Sequence, residues 1–462
     1  MARNAARNCR VAARGHGLRV VRGLLGGRKF SGEYVLLVDV EESFDFCVWG
    51  SHMVRRSVLA MFAVVAIVLG FVVVSTPAGA VVDAAVIVPS PNAGTNEDQL
   101  FSVSCVSVSE CVAVGYTDTD SAYETLAMVW DGSVWSVASS PNVGISNNEL
   151  RSVSCVSASS CVAVGYTFTG SANETLVMVW DGSVWSIVSS PNAGIIDDVL
   201  RSVSCVSASE CVAVGSTYIG SAYATLVMVW DGSVWSIVSS PNAGTNEDTL
   251  NSVSCVSASD CVAVGYTYTG SVYETLAMGW DGSVWSTLSS PNAGTSDDAL
   301  RSVSCVSASE CVAVGYTGTD SAFETLVMVW DGSVWSIVSS PNAGTSDNQL
   351  NSVSCVSASS CVAVGHTYTG SAFETLVMVW DGSVWSIVSS PNAGNSFDLL
   401  RSVSCVSVSE CVAVGFTNTG NNVNETLVLS LTGPVPPSTT TTTVSPSTTT
   451  VASDQVVPVF AG

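Results

Sequence analysis

The tetrapeptide Ser-Val-Ser-Cys begins at Ser102 and recurs at Ser152, Ser202, Ser252, Ser302, Ser352 and Ser402, seven copies at an unbroken spacing of fifty residues. A period held that strictly comes from tandem duplication of one supersecondary unit, so the chain folds as an array whose units complete their cores against one another. Within a copy, four apolar segments alternate with turn signals: Leu150 to Val156, Cys161 to Thr167, Thr175 to Trp180 and Val184 to Ser189. They are rich in Val, Trp, Ile and Thr and too short for ordinary helices, so they read as strands. Asp181-Gly182 reads as a tight hairpin turn between the third and fourth, since both residues tolerate positive φ. Pairing Trp130 with Ser133 across the equivalent turn puts Leu126, Met128, Trp130, Trp135 and Val137 on one face of the sheet. Ala127, Val129, Val134 and Ala138 take the other. Two apolar faces predict a sheet sandwiched between neighbours, with the repeat tryptophans as its core.

Four short antiparallel strands per fifty residues, seven times over, predict an all-β fold, a seven-bladed β-propeller. The ends of the array sharpen that expectation. Trp-Asp-Gly-Ser-Val-Trp occurs six times, and the seventh copy stops after its third strand, Thr426 to Leu431. Ala84 to Val88, followed by Pro89-Ser90-Pro91-Asn92-Ala93-Gly94, matches the fourth-strand ending Ile187 to Gly194. A chain that starts with strand four and ends with strand three closes a ring by pairing the two, whereas an open solenoid would leave unpaired edges.

Fourteen of the sixteen cysteines form pairs spaced Cys-x5-Cys: Cys105/Cys111, Cys155/Cys161, Cys205/Cys211, Cys255/Cys261, Cys305/Cys311, Cys355/Cys361 and Cys405/Cys411. Each pair brackets the turn between strands one and two, which sets the two residues opposite one another, with Cα atoms roughly 4.5 to 5.5 Å apart as suits a disulfide. Seven such bonds imply an oxidising compartment. Zinc is disfavoured, because short Cys-x2-Cys spacings and repeated histidines are absent from the repeats. The pattern Ser-Cys-x-Ser-x-x-x-Cys-x-Ala-Val-Gly, as in Ser154 to Gly165, followed by Trp-Asp-Gly-Ser-x-Trp and Ser-Pro-Asn, resembles secreted propeller-repeat proteins of actinobacterial type. The resemblance covers residues 84 to 432. It implies export and fold and transfers no catalytic residues.

The chain has a net charge of −24, yet only 11% of its residues are charged and 47% are hydrophobic. That apolar fraction excludes a disordered acidic tail, and the acidic excess argues against nucleic acid as a partner. Ten of the fourteen Lys and Arg residues precede residue 81, and the only Arg or Lys beyond it are Arg151, Arg201, Arg301 and Arg401. By strand parity, the two-to-three loops and the four-to-one loops share one end of the array, and most of the acids fall there. The candidate ligand face is Glu97, Asp98, Asp197, Asp198, Glu247, Asp248, Asp297 and Asp298. Two accounts of it stand: solubility with local pairing to the four arginines, or a multivalent ring for a cationic partner or Ca2+, which takes several oxygen ligands. The single histidine of the repeats, His366, sits where other copies carry Tyr, Ser or Phe and reads as a filler.

Residues 53 to 80 read as an export signal, with Arg55 and Arg56, an apolar run from Val58 to Val74, and small residues at Ala78 and Ala80 before a cleavage point. An uncleaved anchor is the alternative, and then the membrane contact is through that segment alone. Residues 1 to 52 read either as an extension upstream of a true start at Met53 or as a basic cytoplasmic segment. Residues 433 to 462, rich in Pro, Ser and Thr, read as an extended tail. The expectation is a secreted or cell-surface binding or adhesion module: non-catalytic, monomeric, and directed at an extracellular protein, glycan or cationic ligand. The alternatives are a glycan-active enzyme using loop carboxylates and a purely structural surface protein.

Overall fold

The computed structural model describes residues 82–433, apart from Thr95, Ile145, Ile195, Thr245, Thr295, Asn395, Thr419, Asn421 and Asn422. The segments read from the sequence as an export signal, as the stretch before it and as a tail lie outside the described residues. Strands follow the repeat: the second copy runs Asn148–Ser157, Ser160–Phe168, Asn173–Trp180 and Trp185–Val188. Each of the first six copies is an antiparallel four-stranded unit in sequential order, and the seventh takes its fourth strand from the start of the chain. Three units stand as separate sheets, and the others join in pairs through single parallel bridges, Tyr223 to Glu247 and Phe373 to Phe397.

The turn between strands three and four differs from the two-residue hairpin expected. Trp130 pairs with Trp135, not with Ser133, and Asp131 to Val134 form the connection. Asp131 Oδ1 accepts from Ser133 N at 2.8 Å, Ser133 Oγ at 2.7 Å and Val134 N at 2.9 Å, while Gly132 adopts φ 92°. The carboxylate closes the loop itself, so a wider turn becomes as definite as a tight one. The shift is two residues, which preserves the expected faces. It also exposes Val134, and the fourth strand is the outer one: Val137 and Ile187 face solvent. The apolar faces are therefore covered over three strands and only partly over the fourth. Of each tryptophan pair, the second, such as Trp185, is buried in the core and the first, such as Trp180, packs half-buried against it.

First strands meet first strands of both adjoining copies. Two serines of Ser-Val-Ser-Cys make that contact. Ser102 Oγ accepts from Val153 N at 3.1 Å and Ser104 Oγ from Cys155 N at 3.0 Å. The same two bonds recur at every step, and the last step returns to the first copy, where Ser402 and Ser404 accept from Val103 N and Cys105 N. Hydroxyl-to-backbone bonds thus satisfy amide groups that a sheet would otherwise leave unpaired at its inner edge. The apolar clusters obey the same order. Val112, Val114 and Ala127 of the first copy pack with Leu150, Leu176, Met178 and Trp185 of the second, and Val414 and Val428 of the seventh pack with Leu100, Leu126, Met128 and Trp135 of the first.

All seven expected disulfides form: Cys105–Cys111, Cys155–Cys161, Cys205–Cys211, Cys255–Cys261, Cys305–Cys311, Cys355–Cys361 and Cys405–Cys411. The partners are directly opposed, as Cys205 is to Cys211 and Cys355 to Cys361, but their Cα atoms lie 4.0 Å apart, closer than the separation expected of a regular ladder. The pair is not embedded in regular ladder: the register shifts immediately beyond it, between Cys205 and Ser207 and between Cys355 and Ser357. The two halves of each bond also differ in burial. Cys111, Cys161, Cys211, Cys261, Cys311, Cys361 and Cys411 lie on the second strand and are buried in the apolar clusters, whereas their first-strand partners are only half-buried. Cys211 and Cys361 face Trp230 and Trp380 on the third strand, so each bond ties the inner strand to the core as well as closing a turn. Seven bonded pairs suggest an oxidising, extracellular environment.

The terminal strand behaves as expected. Ala84–Ile87 pairs antiparallel with Asn424–Thr432 in the register Ala84 to Thr432. Beyond it, Asn92 Oδ1 accepts from Thr426 N at 2.9 Å, the bond that Asn142 makes to Thr125 N within the first copy.

Candidate functional site

Loops from adjoining copies meet at one end. The two-to-three loop of one copy latches onto the four-to-one loop of the next: Tyr123 N donates to Asn147 Oδ1 at 3.0 Å, Tyr273 N to Asp297 Oδ1 at 2.9 Å, and Phe323 N to Asp347 Oδ1 at 2.9 Å. The opposite end carries the disulfide turns, where Trp130 Nε1 donates to Val108 O at 3.1 Å.

The structure separates the two acids of each expected ligand pair. Asp98, Asp198, Asp248 and Asp298 are buried, at most 2% exposed. Their carboxylates accept main-chain N–H groups of the preceding loop, as Asp248 Oδ1 does from Ala243 N at 3.2 Å and Gly244 N at 3.1 Å. Asn148 performs the same task, accepting from Val143 N at 2.9 Å. These four acids fasten the loop, and their side chains are buried. Glu97, Asp197, Glu247 and Asp297 stay half-buried at the rim. Phenols donate to three of them: Tyr116 to Glu97 at 3.2 Å, Tyr223 to Asp197 at 3.2 Å and Tyr266 to Glu247 at 3.0 Å. Burial, and then the adjacent carboxylate, raises the Tyr116 phenol far above its ordinary range, so it stays a donor. Among the described residues no group of three or more His, Cys, Asp or Glu is placed to hold a metal ion.

Inside the rim lies a feature that the sequence reading treated only as local pairing for the acids. In every copy the first strand shifts register between its Leu and the following Ser, leaving one residue in the bulge: Phe101, Arg151, Arg201, Asn251, Arg301, Asn351 and Arg401. Gly265 sits opposite Leu250 at such a bulge, and a Cβ there would overlap the carbonyl oxygen of Thr249. Ala-Val-Gly therefore ends in glycine because the bulged strand crosses its backbone. Arg151 is the one arginine with a carboxylate partner within salt-bridge distance among the described residues, Glu149 at 2.6 Å. It also lies 4.4 Å from the Phe101 ring centroid and donates to the Tyr166 hydroxyl at 3.4 Å. The fifty-residue spacing of the arginines was the available signal. Its meaning depended on knowing that the first strands are innermost.

His366 is buried, with Nδ1 3.3 Å from Asn351 Nδ2 and its ring edge-on to Phe373. Desolvation, then Arg401 and Arg301, lowers its pKa to about 4. It is a neutral core imidazole, as the filler reading expects.

No protein-family model and no curated protein matches the sequence. Among solved structures, the chain is similar to YCF48 bound to D1 peptide, at 11% identity and TM-score 0.48, over 76% of this chain and 96% of that one. It is also similar to Chaetomium thermophilum Sqt1 bound to the N-terminus of the ribosomal protein L10, at 11% identity and TM-score 0.44, over 74% and 99%. Repeated four-stranded units with paired tryptophans and regular disulfides fit a β-propeller repeat protein.

Proposed function

We propose that the chain is an exported seven-bladed β-propeller that works outside the cell as a non-catalytic binding module, engaging an extracellular protein or glycan through the loop end of the ring. The observation that carries this reading is where the copies differ. Strand, turn and disulfide positions are nearly invariant from copy to copy, while the positions of Glu97, Gln99, Phe101, Tyr116, Asp118 and Tyr123 change repeatedly. These positions adjoin in space: Phe101 and Tyr116 have ring centroids 5.6 Å apart, and Tyr116 and Tyr123 4.5 Å. A duplicated scaffold diversified at one connected surface is suited to recognition. Binding falls to the rim carboxylates and aromatics together, because the second acid of each pair is engaged by the backbone.

The test is a glycan and protein array probed with the oxidised chain, and then with a variant carrying Glu97→Gln, Tyr123→Ala, Asp197→Asn and Tyr223→Ala. A ligand retained by the parent and lost by the variant supports the reading. Hydrolysis of an array glycan, abolished by a single carboxylate substitution, would replace it with the enzyme alternative.

A further inference from the structure

Beyond residue 80 the chain keeps four Arg and no Lys against a large excess of acids, and all four occupy one repeat position, the first-strand bulge. Random retention would scatter them. The neighbouring serines tie the first strand of each copy to that of the next, so the bulge residues of successive copies lie on adjoining strands, and Arg151 and Arg201 line one cavity. Arg401 and Arg151 belong to copies that do not adjoin, yet both approach the Phe101 ring, at 5.9 and 4.4 Å. Arg151 has its carboxylate. The side chains of Arg201, Arg301 and Arg401 have no salt bridge or hydrogen bond among the described residues; Arg301 lies 5.2 Å from the Tyr316 ring centroid and Arg401 5.4 Å from that of Phe416, and the Nε of all four arginines is buried without a partner. Unpaired guanidiniums crowded together cost stability, and a structure that holds them leaves their charge for something else.

We propose that these four arginines form a central anion-binding site for a compact, multiply charged oxyanion of phosphate chemistry, free or as the terminal group of a larger ligand. Planar guanidiniums present paired N–H donors that match a phosphoryl group from several sides. A cavity of 340 Å³ is lined by two of the four, Arg151 and Arg201, with Tyr166, Ser216 and Thr249, and it leaves room for such a group beside Asp197 and Glu247, which border it on the rim side. Mutual repulsion acts with desolvation on the cluster: Arg401 is lowered to about 10, first by desolvation and then by Arg151 and Arg301, and Arg201 is lowered by the same two causes. An anion at the centre relieves both. The rim carboxylates Glu97, Asp197, Glu247 and Asp297 oppose a long polyanion, which selects for charge concentrated in one small group.

The assignment deepens the binding reading at the centre of the same end, and its test uses no macromolecular partner, so either can fail without the other. The full oxidised chain is titrated calorimetrically with inorganic phosphate and, separately, with glucose 6-phosphate, against sodium chloride at matched ionic strength. Saturable binding of phosphate or the monoester, weakened at least tenfold by Arg201→Gln with Arg301→Gln and less by Arg301→Lys, is expected; a preference between the two anions identifies the free or the esterified source. The double variant should melt higher than the parent without anion and lose the phosphate-induced rise in Tm, which separates a lost site from a lost fold. No saturation by either anion in the millimolar range, an equal response to chloride, or unchanged binding in the folded double variant would overturn the proposal.

Discussion

Val103 donates its backbone N–H to Ser402 Oγ across 3.2 Å, although 299 residues separate them. The same bond joins Val153 to Ser102 at 3.1 Å, only 51 residues apart. A contact that is local everywhere else is also made between the two ends of the array.

Replacing one such serine strands a buried amide. Ser402→Ala and Ser202→Ala should each destabilise by about 1–3 kcal/mol, with similar values from denaturant unfolding. A much smaller loss at Ser402 than at Ser202 would mean that the contact between the ends is weaker than the others.

Gly265→Ala tests the bulge. The added methyl would overlap Thr249 O, and backbone cannot move aside as a flexible side chain can. The expected loss is about 3 kcal/mol, the upper end of what overpacking costs, whereas Gly344→Ala, with nothing close to its Cβ position, should be nearly neutral. Thermal melts of the two variants compare them directly.

The buried loop acids should tolerate loss of charge but not loss of the acceptor. Asp248→Asn recreates the arrangement of Asn148 and Asn348, whose Oδ1 atoms accept from Val143 N and Ala343 N. Asp248→Ala leaves the Ala243 and Gly244 amides without that acceptor and should cost about 2 kcal/mol. Equal destabilisation by both substitutions would point to the charge instead of the hydrogen bond.

His366 predicts an acid-side loss of stability. Its pKa is about 4 in the fold against an ordinary 6.5, so between these values the unfolded chain binds the proton that the folded chain excludes. There is no penalty above pH 6.5; the loss of stability grows as pH falls toward 4 and levels off at about 3 kcal/mol at the acid limit. His366→Tyr, the residue at Tyr116, Tyr166, Tyr266 and Tyr316, should flatten that part of the curve of unfolding free energy against pH.

Strand number per copy, the offset strand at the start and the cysteine pairing were all legible in the sequence, because each follows from local spacing: Cys155 opposes Cys161 once the intervening turn folds. The burial of one cysteine of each pair was not, since it depends on the neighbouring copy that packs over Cys211 or Cys361. The four-residue turn at Asp131 was not legible either, because an Asp-Gly pair suits two loop lengths and the carboxylate's three hydrogen bonds decide between them. Nor were the separate fates of Glu97 and Asp98, adjacent residues of like chemistry on alternate sides of a strand end.

The sequence by itself determined the repeating all-β unit and its disulfides, because period, turn residues and strand propensity act within a few residues of one another. Only the tertiary structure decided that first strands meet first strands, and with it that Ser102 and Ser104 bind the next copy and that arginines fifty residues apart occupy the bulges of adjoining first strands. Those relations depend on how units pack around the array, and no local spacing carries that information.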